Sequence, residues 1–174
     1  MSSSPRPTAS PTPPPAPPPT PPASPPASPA DLPAHVRSEA DLTRAWSCLM
    51  GELGFSGASI WVLLLAPDER PHPHLMQIEK ADVPPDTGQG ARFAQMLGSV
   101  LAQACPGGRA AVLRSRPGSG GPTVDDLAWA RALLGACRTA GVPMASVHLA
   151  TDVALRPVAG DDLLGGDAGL GAAC

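Results

Sequence analysis

The chain has 174 residues, a formal charge of −3 and a composition that is 43% hydrophobic but only 3% aromatic. A chain of this length fits one domain, and its longest apolar run, residues 60–66, is too short to span a bilayer. The eleven arginines and one lysine are scattered, and no basic stretch is interleaved with aromatic residues, which argues against a nucleic-acid surface.

The first part of the chain is dominated by proline. Residues 1–33 hold fifteen of the twenty-five prolines, and their only charged side chains are Arg6 and Asp31. Such a segment buries too little apolar surface to offset its ordering entropy, so we predict a disordered tail of polyproline II character. The PxxP spacings of PTPPPAPPPTPP, residues 11–22, could also dock on an aromatic-lined groove, although a spacer is the commoner use.

The cysteines and the first residues bear on the compartment. Cys48, Cys105, Cys137 and Cys174 form neither a CxxC pair nor the spacing of a zinc ribbon. We interpret the first three as small buried residues of helices and the last as a free terminal thiol. The first twenty residues contain no apolar stretch typical of a signal peptide. These features predict a cytoplasmic protein.

The rest of the chain predicts one domain over residues 34–160, and this domain begins with a helix. Ser38 and Asp41 have the spacing of a capping box. Apolar residues then recur at helical spacing as far as about Leu53, and Gly54 ends the pattern.

Two strands follow the first helix. The continuous apolar run of residues 58–66 is typical of an interior strand covered on both faces. Residues 72–80 form a second strand that pairs with the first as a hairpin. Pro71 and Pro73 cannot donate ladder hydrogen bonds, so this second strand is expected at an edge of the sheet.

The second half alternates between helices and strands. Residues 88–104 are helical in pattern, and residues 110–114 form a short strand. Thr123, with Asp126 at the box position, caps the next helix, which Gly141 closes. The buried stripe predicted for that helix is Leu127, Ala130, Leu134 and Cys137. The last two strands are predicted at residues 144–151 and 154–158.

The element order is therefore α-β-β-α-β-α-β-β, which predicts an α/β fold with a mixed sheet. Roughly 130 residues are enough for a single core. Residues 161–174 return to glycine and alanine and are expected to form a flexible C-terminal tail.

A glycine-rich loop joins the third strand to the third helix in RSRPGSGGPTVDD, residues 114–126. Free N–H groups and the helix dipole could make this loop an anion or nucleotide site, with Arg114 and Arg116 adding charge-assisted contacts. The loop matches neither GxxxxGK[ST] nor GxGxxG, however. Asp125 and Asp126 already occupy the helix N-terminus, where they repel phosphate.

Residues 60–158 resemble the RadC-like branch of the JAB/MPN (JAMM) metalloprotease superfamily. The core motif of that family has the form HxHPSGxPxPSxxD and is followed by a helix, G(I/V)P and a strand. This chain has RSRPGSGGPTVDD and then LAWARALLGACRTAGVPMASVHLATD. The resemblance implies an α-β-α sandwich of the JAB/MPN, or cytidine-deaminase-like, type.

The resemblance also implies what each motif position does. In active members two histidines and the aspartate hold zinc, an upstream glutamate activates the bound water, and the serine stabilises the oxyanion. Here Arg114 and Arg116 stand at the histidine positions, Thr123 at the serine and Asp126 at the aspartate, in a loop one residue shorter. The upstream glutamate of the family would correspond to Glu69 or Glu79 in this chain. The sequence gives no clear register that would choose between them.

Arginine cannot replace histidine as a zinc ligand. It offers no lone pair and stays positively charged, whereas zinc needs imidazole, thiolate or carboxylate donors. The resemblance therefore implies a domain with no metal, no cofactor and no catalytic residue, acting as an interaction or scaffold module for a protein partner. In such a domain Asp126 would pair with Arg114 or Arg116.

Three other interpretations stay open at this stage. His72 and His74 alternate by two and could serve a metal-dependent hydrolase or a DNA-repair-associated relative of RadC, although exposed edge histidines are the plainer account. The glycine loop could be a simple connection flanked by solvated arginines. His148 lies in an apolar strand, where a hydrogen-bonded structural histidine is expected.

Overall fold

The computed structural model of the chain describes residues 32–164. Within this range the predicted order α-β-β-α-β-α-β-β is confirmed, and one short helix follows it. The elements are α1 Glu39–Met50, β1 Ser59–Leu65, β2 Pro71–Glu79, α2 Thr87–Ala104, β3 Arg109–Ser115, α3 Val124–Thr139, β4 Met144–Ala150, β5 Leu155–Pro157 and α4 Gly160–Leu164. The fold is mixed α/β, as expected.

The five strands form one mixed sheet in the order β2-β1-β3-β4-β5. β1 is antiparallel to both β2 and β3, and β5 is antiparallel to β4. β3 and β4 are parallel, because α3 carries the chain back across the sheet between them. The predicted hairpin and the edge position of β2, which begins with Pro71 and contains Pro73, are both confirmed.

Helices cover both faces of the sheet, so the domain has three layers and two apolar cores. On one face, α1 packs Leu42, Trp46 and Leu49 against side chains of β1 and β3. On the other face, α2 and α3 cover the alternate side chains of the same strands, together with Val147 and Leu149 of β4. Interior strands covered in this way require the near-continuous apolar runs seen in the sequence.

Each of the three long helices begins with a capping box. The box is Ser38 with Asp41 in α1 and Thr123 with Asp126 in α3, both as predicted. In α2 it is Asp86 with Gln89, so that helix begins at Thr87. The predicted end of α1 was wrong, because the chain leaves the helix at Gly51, which has φ +61°.

The predicted buried stripe of α3 is confirmed only in part. Ala130 and Cys137 are buried, but Leu127 and Leu134 are only half-buried, and Leu133 is the buried leucine of this helix. Cys105 is also buried and Cys48 half-buried, while Cys174 lies outside the described residues. Burial raises the pKa of Cys137 to about 11 and also raises the pKa of Cys105, which favours the neutral thiol form of both.

The C-terminal prediction changes at its first residues. Residues 161–164 belong to α4 instead of to a frayed tail, because Arg131 donates to the backbone oxygens of Leu163 and Asp162 at 2.8 and 2.9 Å. The predictions for residues 1–31 and 165–174 lie outside the described range. No helix between residues 32 and 164 has both the length and the apolar character that a bilayer crossing demands.

Candidate functional site

Both arginines of the glycine-loop motif bind the aspartate in the first turn of α3. Arg114, near the end of β3, donates from Nε to Oδ1 of Asp126 at 2.7 Å. Arg116, just beyond the strand, donates from Nε to Oδ2 at 2.8 Å. The predicted pairing is therefore confirmed, with one guanidinium group on each carboxylate oxygen.

These three side chains are withdrawn from solvent. The exposed fraction is 1% for Asp126, 5% for Arg114 and 14% for Arg116. The alternative interpretation of solvated surface arginines is therefore wrong. Buried charges are tolerated only when they are paired and hydrogen-bonded. The stability of the fold therefore depends on these three side chains remaining in contact.

Local structure brings the three groups together. Arg114 and Arg116 are two residues apart on an extended chain, so both side chains leave the same face of the sheet toward α3. Thr123 caps α3 by accepting from the Asp126 N–H at 3.2 Å, and Oδ2 of Asp126 accepts from the Thr123 N–H at 2.8 Å. One carboxylate thus completes the capping box and binds both arginines.

Arg114 is held on two further sides. Its Nη1 donates to the backbone oxygen of Ala81 at 2.6 Å, and its guanidinium lies 5.3 Å from the centre of the Trp129 ring. This geometry permits a cation–π interaction. The space bounded by Arg114, Asp126, Trp129 and the neighbouring core residues contains no volume that a water molecule could occupy. A small ligand therefore has no room at Arg114.

The charge state of Asp126 follows from these contacts. Burial raises the pKa of Asp126, but the hydrogen bonds from the Thr123 backbone and from Arg114 and Arg116 outweigh it. Its pKa therefore lies below the usual value of 3.8. Asp126 is an anion at neutral pH, and both of its oxygens are already in use.

The glycine loop encloses Arg116 with backbone carbonyl oxygens. Nη1 of Arg116 donates to the oxygen of Pro117 at 3.0 Å, and Nη2 donates to the oxygen of Gly121 at 2.8 Å. The loop thus turns carbonyl oxygens toward the arginine, and the Thr123 N–H is bound to Asp126. Each nitrogen of Arg116 already donates, so this geometry gives the anion or nucleotide hypothesis no support.

Asp152, at the turn after β4, fixes the start of the loop. Its Oδ2 accepts from the Gly118 N–H at 2.7 Å, and its own N–H donates to the Gly118 oxygen at 2.9 Å. Its Oδ1 accepts from the Phe55 N–H at 2.8 Å. The hydrogen bonds from the Gly118 and Phe55 backbones lower the pKa of Asp152. Two connecting loops are therefore tied to a single carboxylate.

His72 and His74 lie side by side on β2, and among the described residues no third metal-ligating side chain is grouped with them. Their rings lie 5.0 Å apart on the edge strand β2, and the backbone N–H of His74 points to Nδ1 of His72 at 3.3 Å. Between residues 32 and 164, no three His, Cys, Asp or Glu side chains are grouped so that they could hold a metal ion. The geometry therefore does not support the hypothesis of a hydrolase that uses these two histidines.

The two candidate glutamates lie at opposite ends of the sheet. Glu69 is in the turn of the hairpin, where it forms an ion pair with Arg109 at the start of β3. Glu79 lies opposite Ser59, which in turn lies opposite Ser115 next to Arg114. Of the two candidate glutamates, Glu79 is therefore the one that lies near the arginine–aspartate cluster. The sequence alone did not distinguish between them.

His148 is a structural histidine, as expected. It is fully buried, and its Nε2 lies 2.9 Å from Oγ1 of Thr43 in α1. Burial lowers the pKa of His148 from 6.5 to about 4, although the Ser146 backbone slightly favours the charged ring. His148 is therefore neutral at physiological pH and joins α1 to the sheet.

An apolar groove lies beside the cluster, on the face covered by α2 and α3. We call it the Trp129 groove, and its volume is about 280 Å³. It is lined by Ile60, Ile78, Glu79, Lys80, Ala81, Val83, Pro85, Gln89, Phe93, Trp129 and Leu133. Val83 is 78% exposed and Ile78 is 38% exposed at its rim. Sequence reasoning missed this groove, because its walls come from segments up to 73 residues apart.

Comparison of the chain with protein-family models, with curated proteins and with solved structures found no match.

Proposed function

We propose that residues 34–160 are a JAB/MPN-like domain without catalytic activity, which serves as an interaction or scaffold module. The observation that carries this proposal is the binding of one carboxylate by two arginines at the motif positions of the zinc ligands. The mixed α/β fold, with β3 leading through the glycine loop into a capped α3, supports the assignment of the family.

The chemistry of the cluster supports the loss of the metal. A zinc ion in a catalytic site needs three protein ligands with lone pairs. At these positions only Asp126 has any, and both of its oxygens accept from guanidinium nitrogens. Two fixed positive charges within hydrogen-bond distance of that carboxylate would also repel a divalent cation. The arginines thus occupy the space and supply the charge that a metal would.

Two further observations bear on binding and location. The exposed apolar rim of the Trp129 groove suits a binding module, because apolar patches on a domain surface commonly mark interaction sites. A cytoplasmic location remains part of the proposal, and it is supported by the three described cysteines, which are all free.

The first experiment measures the metal content of the purified full chain after dialysis. We expect no stoichiometric zinc. Zinc retained at about one ion per chain in the wild type, and lost in Asp126→Asn, would contradict the proposal.

The second experiment restores the family ligands with the double variant Arg114→His/Arg116→His. Histidines at these positions, together with Asp126, would supply the three ligands of the motif, so we expect the variant to bind one zinc ion per chain. The matched control is Arg44→His/Arg138→His, which makes the same chemical change at two exposed arginines and should bind none. If the double variant folds and binds no zinc, the assignment to the JAB/MPN family loses its support.

A further inference from the structure

The Trp129 groove has the composition of a site for proline-rich chains. The chain has only five aromatic residues, and two of them, Trp129 and Phe93, line this groove together with Pro85. Proline-rich segments bind aromatic-lined grooves of this kind because their rings pack flat on aromatic faces. They also enter the bound state with little loss of entropy, since the polyproline II conformation is formed beforehand.

The charge of the groove fits an uncharged ligand. Among the lining residues the charged side chains are one glutamate and one lysine, Glu79 and Lys80, which are adjacent in sequence and cancel. Residues 7–30 carry no charged side chain at all. A proline-rich segment from that region would therefore enter the groove without desolvating a charge of its own.

The N-terminal segment is also within reach. The described chain starts at Leu32, which lines a second surface groove together with Pro71 and Pro73 at the start of β2. The Trp129 groove lies at the other end of β2, near Ile78 and Lys80. A nine-residue strand is about 26–30 Å long, and the ten residue-to-residue steps from Pro22 to Leu32 span about 31 Å as polyproline II.

We propose that residues 11–22, PTPPPAPPPTPP, dock in the Trp129 groove of their own chain. This inference rests on the proposed function, because it identifies the binding surface of the interaction module and the chemical class of its ligand. Tethering raises the effective concentration of the segment to about the millimolar range, so even a contact of weak intrinsic affinity keeps the groove occupied. A proline-rich segment of another protein must then displace the tail before it can bind.

The test uses the full chain labelled with ¹⁵N and follows the indole N–H signals of its three tryptophans. In the tail variant, every proline of residues 11–22 is replaced by serine. We expect the Trp129 signal to shift between the wild type and this variant, while Trp46 and Trp61 stay in place and report an intact fold. The matched control replaces Pro5 and Pro7, which lie outside both the docked segment and the linker, by serine and should leave Trp129 unmoved.

A rim variant shows whether the groove itself carries the effect. Val83→Glu places a charge at a highly exposed position of the rim and should leave the fold intact. In this background the proline-to-serine change of residues 11–22 should no longer shift Trp129. A shift of the same size in both backgrounds would overturn the proposal.

Dilution distinguishes docking of the segment within its own chain from docking of the segment of a second copy. A tail-dependent shift of Trp129 that is unchanged on twentyfold dilution supports docking within one chain, whereas a shift that disappears on dilution would assign the contact to a second copy and overturn the proposal. The absence of any tail-dependent shift would also overturn it. Neither result affects the zinc binding of Arg114→His/Arg116→His, so failure of this inference and failure of the proposed function can be told apart.

Discussion

Arg114 and Asp126 are joined by a 2.7 Å hydrogen bond between Nε and Oδ1, and both side chains are almost completely buried. The contact links the end of β3 to the first turn of α3, and therefore fixes both ends of the glycine loop. A loop held at its ends by a buried ion pair is rigid, which suits the proposed scaffold role. A charged ligand that binds and leaves would need at least one of these two charges to be free.

Loss of the carboxylate should be costly. We expect Asp126→Asn to lower the free energy of unfolding by about 3–5 kcal/mol, because it leaves two guanidinium groups without their counter-charge. Chemical denaturation with urea measures this change. The matched control is Asp125→Asn, which alters the neighbouring exposed carboxylate in the same helical turn and should cost less than about 1 kcal/mol. Equal effects of the two variants would contradict the central role of Asp126.

The two arginines should differ in their contributions. Arg114→Met removes the more deeply buried cation and its contacts with Ala81 and Trp129, so we expect it to cost about 2–3 kcal/mol and more than Arg116→Met. Arg114→Met combined with Asp126→Asn should cost about 1–3 kcal/mol less than the sum of the single changes. Additive effects in this double-mutant cycle would show that the pair is not coupled.

Local sequence signals predicted much of the cluster. The Thr123–Asp126 capping box depends on residues three apart, and the shared face of Arg114 and Arg116 follows from the alternation of a strand. Both are short-range properties, so they can be deduced without knowledge of the fold. The expectation that Asp126 would pair with Arg114 or Arg116 needed only the charges of these side chains, but neither the burial of Asp126 nor its contact with both arginines was predicted.

The surroundings of the cluster could not be predicted in this way. Ala81 is 33 residues from Arg114, and the contact exists because the chain turns back after β2 beside the end of β3. The Trp129 groove likewise needs β2, α2 and α3 to be placed relative to one another. Even the end of α1 was ambiguous, since Gly51 and Gly54 both suit a helix terminus, and the structure ends the helix at Gly51, whose N–H donates to the oxygen of Ser47.

The glycine loop offers a matched pair of substitutions. Gly118 has φ +103°, and an added Cβ would lie 3.3 Å from Nη1 of Arg116. We expect Gly118→Ala to destabilise the fold by about 1–2 kcal/mol, because an L-residue is strained at this angle. Gly120 has no positive φ, and an added Cβ would meet no atom within 4 Å, so Gly120→Ala should be neutral or slightly stabilising. Thermal denaturation of both variants measures the difference, and a reversed order would show that the loop is not held as described.

Acid should destabilise the domain through His148. Its pKa in the folded chain is about 4, against 6.5 for the unperturbed side chain, so the unfolded state binds the proton first as the pH falls. The stabilising contribution is complete above pH 6.5 and is lost between pH 6.5 and 4, and it amounts to about 3 kcal/mol. The low pKa of Asp126 acts in the same direction, but only near and below the usual carboxyl range.

Two histidine variants separate this contribution from the rest. His148→Gln should lower stability at pH 7, since it disturbs the buried contact with Thr43, yet it should flatten the dependence of the unfolding free energy on pH between 6.5 and 4. His74→Gln, at an exposed position of β2, should leave that slope as it is in the wild type. Urea denaturation at a series of pH values gives the slope for each protein. If His148→Gln retains the full slope, the titrating group lies elsewhere, and the neutral buried ring cannot be the reason for acid sensitivity.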